Sequence, residues 1–272
     1  MTIVENHYGK SRVRVARLVR QQDRHELNEM TVAIQLEGDF QSSYTAGDNR
    51  LTIATDTMKN TVYALAKDPA VAQPESFGLL LARHFLDANP HVTRATIEVL
   101  EHPWHRHGHF SFIAGGSQCR VARIDVSREK TVVESGITGY VLLKTTGSGF
   151  EGYIKDRYTT LKETSDRILA TSIDATWRYD NENISWGASW HAVMKLITDT
   201  FAEHDSKSVQ HTVYAIGEVV LAHCPNIDQI RLTMPNKHYL PVNLEPFGLD
   251  NPNEVFCPTD EPHGLIEAVL SR

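Results

Sequence analysis

Three histidines form the most obvious group of side chains with chemical capacity in this sequence. The stretch HPWHRHGHF places His105, His107 and His109 at alternate positions, so on an extended strand the three imidazoles would share one face. Three imidazoles could hold a catalytic zinc ion. A polar surface strand is the simpler interpretation, because the chain has 14 histidines and no CxxC or HExxH motif. We therefore expect no metal site here.

Single polar side chains next to predicted elements are the other candidates. PNKHYLPV carries Asn236 and His238 between two predicted strands, either as a functional loop or as a simple hairpin turn. Gln210 falls in the first turn of a predicted helix with Ser208 as its N-cap, where it could contact a ligand or only water. By default, Arg167 would form a surface salt bridge and Lys10 would be solvated. For each of these residues, both a functional role and an ordinary surface role fit its position in the sequence.

Signatures of common cofactors and of nucleic-acid binding are missing. GSGF at 147–150 lacks the GxGxxG or GxxxxGK context of a phosphate-binding loop, and no nucleotide or flavin fingerprint occurs elsewhere. The net charge of −7 argues against non-specific nucleic-acid binding, because that activity needs a clustered basic field. The basic run RVRVARLVR alternates with apolar residues, as a half-buried strand does. Chemistry on a small ligand without a cofactor is therefore an expectation.

Composition favours a globular protein in a reducing compartment. The 272 residues are 41% hydrophobic and 22% charged, with no apolar run near the length of about 20 residues that spans a bilayer. The N-terminal residues do not resemble a secretory signal, and the chain ends in Leu-Ser-Arg rather than the peroxisomal Ser-Lys-Leu. Cys119, Cys224 and Cys257 have no motif spacing, which favours free thiols. We expect a cytoplasmic protein that binds neither membranes nor nucleic acid.

The elements that must position these side chains follow a similar pattern in both halves. Hydrophobic periodicity predicts a first half of strand (11–20), strand (27–37), helix (with Asp56 as N-cap), helix (from Pro74), strand (93–102) and strand (109–126). The second half reads as strand (130–145), helix (from 159), helix (around 193–201), helix (around 209–220), strand (228–234) and strand (239–244).

A repeated phrase also links the two halves. TDTMKNTVY at 55–63 and TTLKETSDR at 159–167 share the order Thr-apolar-Lys-polar-Thr. We expect each copy to begin a helix at the same corner of a duplicated strand–helix–strand unit. The alternative is that helix starts favour Thr, Asp, Lys and Glu in any protein.

Seven short segments together resemble the urate oxidase (uricase) family. They are YGK (8–10), ATDTMKNTVY (54–63), YTTLKETSDRILAT (158–171), DATW (174–177), TFAE (200–203), SVQ (208–210) and PNKHY (235–239). They extend over nearly the whole chain in the family's order. The resemblance implies an α+β fold of two tandem tunnelling-fold domains, residues 1–128 and 129–272, with antiparallel sheets and helices on one face. It also implies a barrel-like homotetramer with active sites at subunit interfaces.

The resemblance further implies an activity and the residues that perform it. The family oxidises urate with dioxygen to 5-hydroxyisourate and hydrogen peroxide, and needs neither a metal ion nor another cofactor. Lys10 and Thr55 look like its proton-handling pair, with Thr55 and Asp56 also at the substrate. Asn236 and His238 look like the groups near oxygen and water, with His238 as a catalytic residue. A lysine acts as a base only where burial or a nearby cation disfavours its charged form.

The remaining implied residues would bind the flat urate anion. Arg167 and Gln210 look like a clamp on the two edges of the ring, Phe150 like a stacking partner, and Val209 like a backbone contact. A planar guanidinium can donate two parallel hydrogen bonds to carbonyl and ring-nitrogen acceptors. An aromatic face adds roughly 1 kcal/mol beyond its buried area.

Two other functions stay open at this point. His107-Gly108-His109 would suit a zinc-dependent pterin enzyme of the same fold class. A purine-binding protein without catalysis would keep Arg167 and Gln210 but lose the proton-handling pair. The presence of Lys10, Thr55 and His238 argues against this second alternative.

Overall fold

The computed structural model describes residues 3–272, which divide into two compact units. The first unit contains the described residues up to Ile137 together with Thr176–Ala188, and the second contains Thr138–Ala175 together with Ser189–Arg272. The division expected between residues 128 and 129 stays a prediction about domains. In the described part of the chain, no helix is long and apolar enough to cross a bilayer.

The first unit is built on an antiparallel sheet with strand order β1-β2-β3-β6. Its elements are β1 (Tyr8–Arg20), β2 (His25–Gly38), α1 (Gln41–Thr45), α2 (Thr55–Leu65), a 3-10 turn (Pro69–Ala72), α3 (Pro74–Ala88), β3 (Val92–His102), β4 (Trp104–Arg106), β5 (Phe112–Ala114), β6 (Cys119–Ser127) and the start of β7 (Thr131–Lys144). Helix α3 packs on β3 and β6, and α2 contacts β1. Alternate residues of β2, such as Val32, Ile34 and Leu36, are fully buried, as the period-2 pattern predicts.

The second unit has the same order of elements. After β7 come β8 (Leu169–Tyr179), α4 (Trp186–Glu203), α5 (Val209–His223), β9 (Ile227–Pro241), a 3-10 turn (Glu245–Phe247) and β10 (Phe256–Ser271). Strands β9 and β10 are antiparallel, and α5 packs on both. Apart from the short α1, β4 and β5 of the first half, the order strand–strand–helix–helix–strand–strand therefore occurs twice along the chain. This order and the antiparallel pairing confirm the predicted α+β class.

The repeated phrase does not mark equivalent positions in the two halves. Its first copy begins α2, as predicted, whereas the helix predicted from residue 159 is wrong. Residues 151–163 form an irregular loop, and β8 begins at Leu169. Leu169 is the start of an alternating pattern in which Ile173 and Trp177 are also buried. Short apolar runs fit the helix and strand periods equally well, which explains the error.

Three other predicted boundaries change in the structure. PNKHY lies inside β9, so the predicted strands 228–234 and 239–244 are one strand rather than two joined by a turn. The predicted strand 109–126 is divided into β5 and β6. Strand β10 has no predicted counterpart, because Pro258 and Pro262 interrupt its pattern. These differences matter because β9 and β10 supply part of the candidate site.

Candidate active site

A cavity of about 650 Å³ lies in the second unit. It is lined by six of the expected site residues: Phe150, Arg167, Val209, Gln210, Asn236 and His238. Apolar side chains that include Leu161, Leu240, Phe256 and Ile266 complete much of the wall. An apolar cavity with a few hydrogen-bonding groups is typical of a small-molecule site.

Arg167 is the last charged residue before β8. It lies in an irregular segment and not in the predicted helix, and its backbone N–H donates to the carbonyl of Ser148 at 2.7 Å. Burial lowers the pKa of its guanidinium from the ordinary value, although an arginine remains protonated. Its Nε is buried and has no hydrogen-bond partner within residues 3–272. Buried donors are normally paired, so an unpaired Nε in a residue of the cavity wall is a feature that a bound ligand would explain.

The Phe150 ring offers an aromatic surface beside Arg167. The guanidinium carbon of Arg167 lies 5.4 Å from the centroid of this ring, and Tyr153 stacks parallel to it at 4.8 Å between centroids. The backbone of Phe150 pairs with Thr164 through hydrogen bonds of 2.8 and 3.2 Å. These bonds close the base of the loop at residues 151–163, which fixes the ring in the cavity wall.

Val209 and Gln210 form the first turn of α5. Ser208 is the N-cap, as predicted, because its Oγ accepts the N–H of His211 at 3.1 Å. Val209 is buried and Gln210 is exposed. The first N–H groups of a helix have no partner inside the helix, and the N-terminal end favours negative charge. The turn therefore brings an amide side chain and the positive end of a helix to the cavity wall.

Asn236 and His238 continue the core-facing side of β9. Met234 and the alternate residues before it are fully buried, and these two half-buried polar residues follow at the same spacing. The pairing of β9 with β10 is irregular between Thr259 and Gly264, opposite this polar stretch. Irregular pairing of this kind is common next to active sites. The side of β9 that is apolar in the core therefore carries hydrogen-bonding groups where the strand reaches the cavity.

Lys10 and Thr55 lie in the first unit, at the ends of two neighbouring elements. Lys10 pairs with Ile34 of β2, directly before an irregularity at which Arg12 has a φ of +58°. Thr55 is the first residue of α2, and both side chains are partly buried. No hydrogen bond joins Lys10 to Thr55 among the residues that the structure describes. The two nevertheless belong to one local arrangement, which Tyr8 holds together.

The Tyr8 phenol links β1 by hydrogen bonds to the segment that precedes α2. Its oxygen accepts the N–H of Ile53 at 2.7 Å and donates to the carbonyl of Ile53 at 3.2 Å. The bonded residues stand two positions before Lys10 and two before Thr55. Gly9 allows β1 to approach β2 closely, since a Cβ at this position would lie 1.7 Å from the carbonyl oxygen of Ile34. Neither residue was predicted to have this role.

Asp56 is not the N-cap of α2, which corrects the predicted helix start. The N-cap is Ala54, with φ −57° and ψ 133°, and makes no side-chain capping bond. The Asp56 carboxylate instead accepts hydrogen bonds from the Lys59 ammonium and from Nδ2 of Asn60, the latter at 3.0 Å. Lys59 is the main cause that holds the pKa of the Asp56 carboxyl below its usual range, and Lys10 also contributes. Asp56 therefore lies within electrostatic reach of Lys10.

Asp166 joins the two chain segments that carry Phe150 and Arg167. Its carboxylate accepts the Thr146 hydroxyl at 2.8 Å and the N–H of Gly147 at 2.9 Å. The Thr146 hydroxyl, helped by the N–H groups of Ser148 and Gly147, lowers the pKa of the Asp166 carboxyl. A lowered folded-state pKa means that this carboxylate stabilises the protein above the usual Asp pKa. The stabilisation is lost as the pH falls through the lower, folded-state pKa.

The Asp166→Asn variant should therefore show a pH-dependent loss of stability. We expect it to melt at a lower temperature than the unmodified protein at neutral pH, with the difference shrinking towards about pH 3. Thermal melts across this range measure the effect. Asp87→Asn, which changes an exposed carboxylate on α3, is the matched control. A difference that stays constant with pH would show that the carboxylate charge contributes nothing.

The three histidines do not converge on a metal site. His105 lies in β4, whereas His107 and His109 follow in the turn before β5, so the expected shared strand face is wrong. Nδ1 of His109 lies 2.7 Å from the carbonyl oxygen of Asp23. Within residues 3–272, no group of three or more His, Cys, Asp or Glu side chains is placed to hold a metal ion. The zinc alternative therefore receives no support from the geometry.

Several cavity residues were not predicted from the sequence. Phe256 and Ile266 belong to β10, and Leu240 lies in the part of β9 that was assigned to a separate strand. A signal for β10 exists, because Ile266, Ala268 and Leu270 alternate with more exposed residues. The sequence alone obscures it, because Leu265 and Val269 are also apolar and Pro258 and Pro262 interrupt the first half of the strand.

Comparison with known proteins gives one family. A model of the family described as Uricase matches residues 6–124 and 133–267. A uricase of Arthrobacter globiformis is 44% identical over 98% of this chain and 89% of its own, and the uricase of Aspergillus flavus is 38% identical over 97% and 95%. The uricase of Danio rerio is 39% identical over 99% and 94%.

Solved structures agree with these sequence relationships. The crystal structure of the uricase from Arthrobacter globiformis superposes with a TM-score of 0.96, at 43% identity, and covers 100% of this chain and 95% of that one. A urate oxidase structure from Bacillus sp. TB-90, with a TM-score of 0.85 over 98% of this chain, is only 24% identical and supports the fold alone. The fold is therefore that of uricase structures, which confirms the predicted tunnelling fold. The family model and the relatives together cover nearly the whole sequence, and the chain belongs to the uricase family.

Proposed function

We propose that this protein oxidises urate with dioxygen and water to 5-hydroxyisourate and hydrogen peroxide, without a cofactor. One observation carries the proposal: Arg167, whose Nε is buried and has no partner among the described residues, lines the same cavity as Gln210. A flat anion with acceptors on its edge would satisfy this donor. Membership of the uricase family supports urate as that anion.

Recognition would rest on matched hydrogen bonds along the edges of the ring. Arg167 donates two parallel bonds to a carbonyl oxygen and a ring nitrogen. Gln210 offers both a donor and an acceptor, so it can match the opposite edge. The N–H of Val209 adds a backbone donor, and Phe150 provides the stacking face. Purines without the right oxygens would leave these groups unpaired, which gives selectivity.

Oxidation would then need a proton acceptor and access for oxygen. Lys10 accepts a proton from urate through the Thr55 hydroxyl, which can donate and accept at once. The electron-rich urate gives two electrons to dioxygen, which takes up one proton from urate and one from water and leaves as hydrogen peroxide. Water supplies the hydroxyl group that bonds to the oxidised ring, and its remaining proton is the second proton of the peroxide. Asn236 holds oxygen or water near the ring, and His238 helps to deliver the water.

The protein would act as a homotetramer with its sites at subunit interfaces. The cavity is lined by residues of the second unit, while Lys10, Thr55 and Asp56 belong to the first. We propose that a second copy of the chain brings its proton-handling pair to this cavity. Strand β1 is the outer strand of the first unit and β10 that of the second. An outer strand has unpaired backbone groups that can bond to another chain.

A reducing compartment is the proposed location. Cys119, Cys224 and Cys257 are all free thiols in the structure. Free thiols persist where glutathione and thioredoxin keep cysteine reduced. This chemistry supports the cytoplasm, and fractionation of the source cells followed by an activity assay would test it.

A direct assay tests the proposed reaction. Purified protein is mixed with urate under air, with no added cofactor and after exhaustive treatment with EDTA. We expect the ultraviolet absorbance of urate to fall while hydrogen peroxide accumulates in equal amount. Loss of activity on chelation, with recovery on adding zinc, would contradict the cofactor-free mechanism. Binding of urate without any consumption would instead indicate a purine-binding protein that has lost catalysis.

A further inference from the structure

Two hydroxyl groups that the proposed mechanism does not use are buried below the first turn of α5. Ser206 and Thr212 are both fully buried, and Oγ1 of Thr212 donates to Oγ of Ser206 at 2.7 Å. Ser206 in turn donates to the backbone carbonyl of Ser208 at 2.9 Å. Since buried hydroxyls are costly unless paired, this chain of bonds holds Ser208 at one place. Ser208 is the N-cap of the helix that carries Val209 and Gln210.

Ser206 also fixes a second segment of the site through its backbone. Its N–H donates to the carbonyl of Gly147 at 2.9 Å, and its carbonyl accepts the N–H of Gly149 at 2.8 Å. These bonds place the segment 147–150, which ends in Phe150, directly beside the start of α5. Ser206 is thus bonded to the helix through its side chain and to the Phe150 segment through its backbone.

The other side of the same segment carries Arg167. The N–H of Arg167 bonds to the Ser148 carbonyl, and Asp166 accepts the N–H of Gly147. The packing is close, because a Cβ on Gly149 would lie 2.8 Å from the carbonyl oxygen of Ser165. The segment 147–150 therefore lies between the loop that carries Arg167 and the start of α5, which carries Gln210. It is hydrogen-bonded to both.

We infer that the Ser206–Thr212 hydroxyl pair is a positioning pair that sets the distance between Gln210 and Arg167, and so the affinity for the flat ligand. This role rests on the proposed urate site. The pair does not touch the ligand; it acts through the helix start. A displacement of about 1 Å in a site can cost about 100-fold in rate, and hydrogen bonds to a ligand weaken when their distance or angle changes, so a small shift of the helix start is enough.

The Thr212→Val variant removes the hydroxyl while it keeps the side-chain shape. We expect the dissociation constant of urate, titrated without oxygen, and the KM under air to rise about tenfold, with kcat reduced less. Thr212→Ser restores the hydroxyl and should return both constants to within about twofold of the unmodified protein. Ser206→Ala, which removes the acceptor instead, should reproduce the Thr212→Val result.

A change of the same kind outside the site is the control. Thr198→Val removes a hydroxyl on α4 that donates to the carbonyl of Met194, and it should leave both constants unchanged. Lower melting temperatures with unchanged urate affinity in Thr212→Val, or in Ser206→Ala if the first variant does not fold, would show a purely structural pair and overturn the inference. If the unmodified protein neither binds nor consumes urate, the proposed function fails first, and the positioning role fails with it.

Discussion

The Arg167→Ala variant should lose most of its affinity for urate. Two charge-assisted hydrogen bonds at about 1.5 kcal/mol each are removed, which corresponds to roughly a 100-fold rise in the dissociation constant. The loss should be this large because the guanidinium is half-buried and its Nε has no partner in the described structure that competes with a ligand. Anaerobic titration with urate measures the binding constant without turnover. The KM under air should rise in parallel.

A surface arginine provides the matched control for this change. Arg231→Ala removes an exposed guanidinium on β9 that pairs with Glu267 at 2.7 Å. Exposed pairs of this kind contribute about 0–1 kcal/mol, so the urate affinity should not change. An Arg167→Ala protein that folds and binds urate as tightly as the unmodified chain would remove Arg167 from the clamp. Arg167→Lys should recover little, because an ammonium cannot donate in the planar, bidentate geometry.

The Lys10→Met variant should bind urate but turn it over slowly. A positioned acid or base contributes about 100-fold to 10,000-fold to a rate, so we expect kcat to fall within this range. Methionine keeps the length and much of the volume of the lysine side chain. The anaerobic binding constant should stay within a few-fold, since the clamp is intact. Stopped-flow measurement of urate decay gives the chemical step separately from binding.

Thr55→Ala and one surface lysine complete this test. Thr55→Ala should reduce kcat in the same direction, because the hydroxyl relays the proton. The double variant should be no slower than the slower single variant, as expected for groups that act as one unit. Lys67→Met, at an exposed position after α2, should turn over urate normally. Equal kcat values for Lys10→Met, Thr55→Ala and the unmodified protein would exclude both residues from the proton path.

The class of fold was predictable from periodicity, and the exceptions have physical reasons. Residues such as Val32, Ile34 and Leu36 alternate because one side of the strand is core, and the pattern carries that information locally. The sequence of residues 159–169 carries no such local information, since its short apolar run fits the helix period and the strand period equally well. The segment is held by partners distant in sequence, such as the Phe150 backbone and Thr146. Local propensity cannot register bonds of that kind.

The site divides in the same way. The type and position of Ser208 predict that it is an N-cap, and this prediction places Gln210 in the first turn of the helix. Asp56 is a residue type that favours the N-cap position, but it does not cap α2. Its carboxylate accepts hydrogen bonds from Lys59 and Asn60 instead. The role of Tyr8 depends on Ile53, 45 residues away. No spacing rule could find that contact. Family resemblance supplied the roles of the functional residues, and the geometry shows which of them share a cavity.

The most direct measurement is a crystal structure of the protein soaked with urate in the absence of oxygen. We expect one flat ligand in the cavity of the second unit, with its edges bonded to Arg167 and Gln210 and its face on Phe150. The Lys10 and Thr55 side chains of a second copy should lie within hydrogen-bond reach of its ring. Urate bound elsewhere, or bound in this cavity with Arg167 turned away from it, would contradict the proposed clamp.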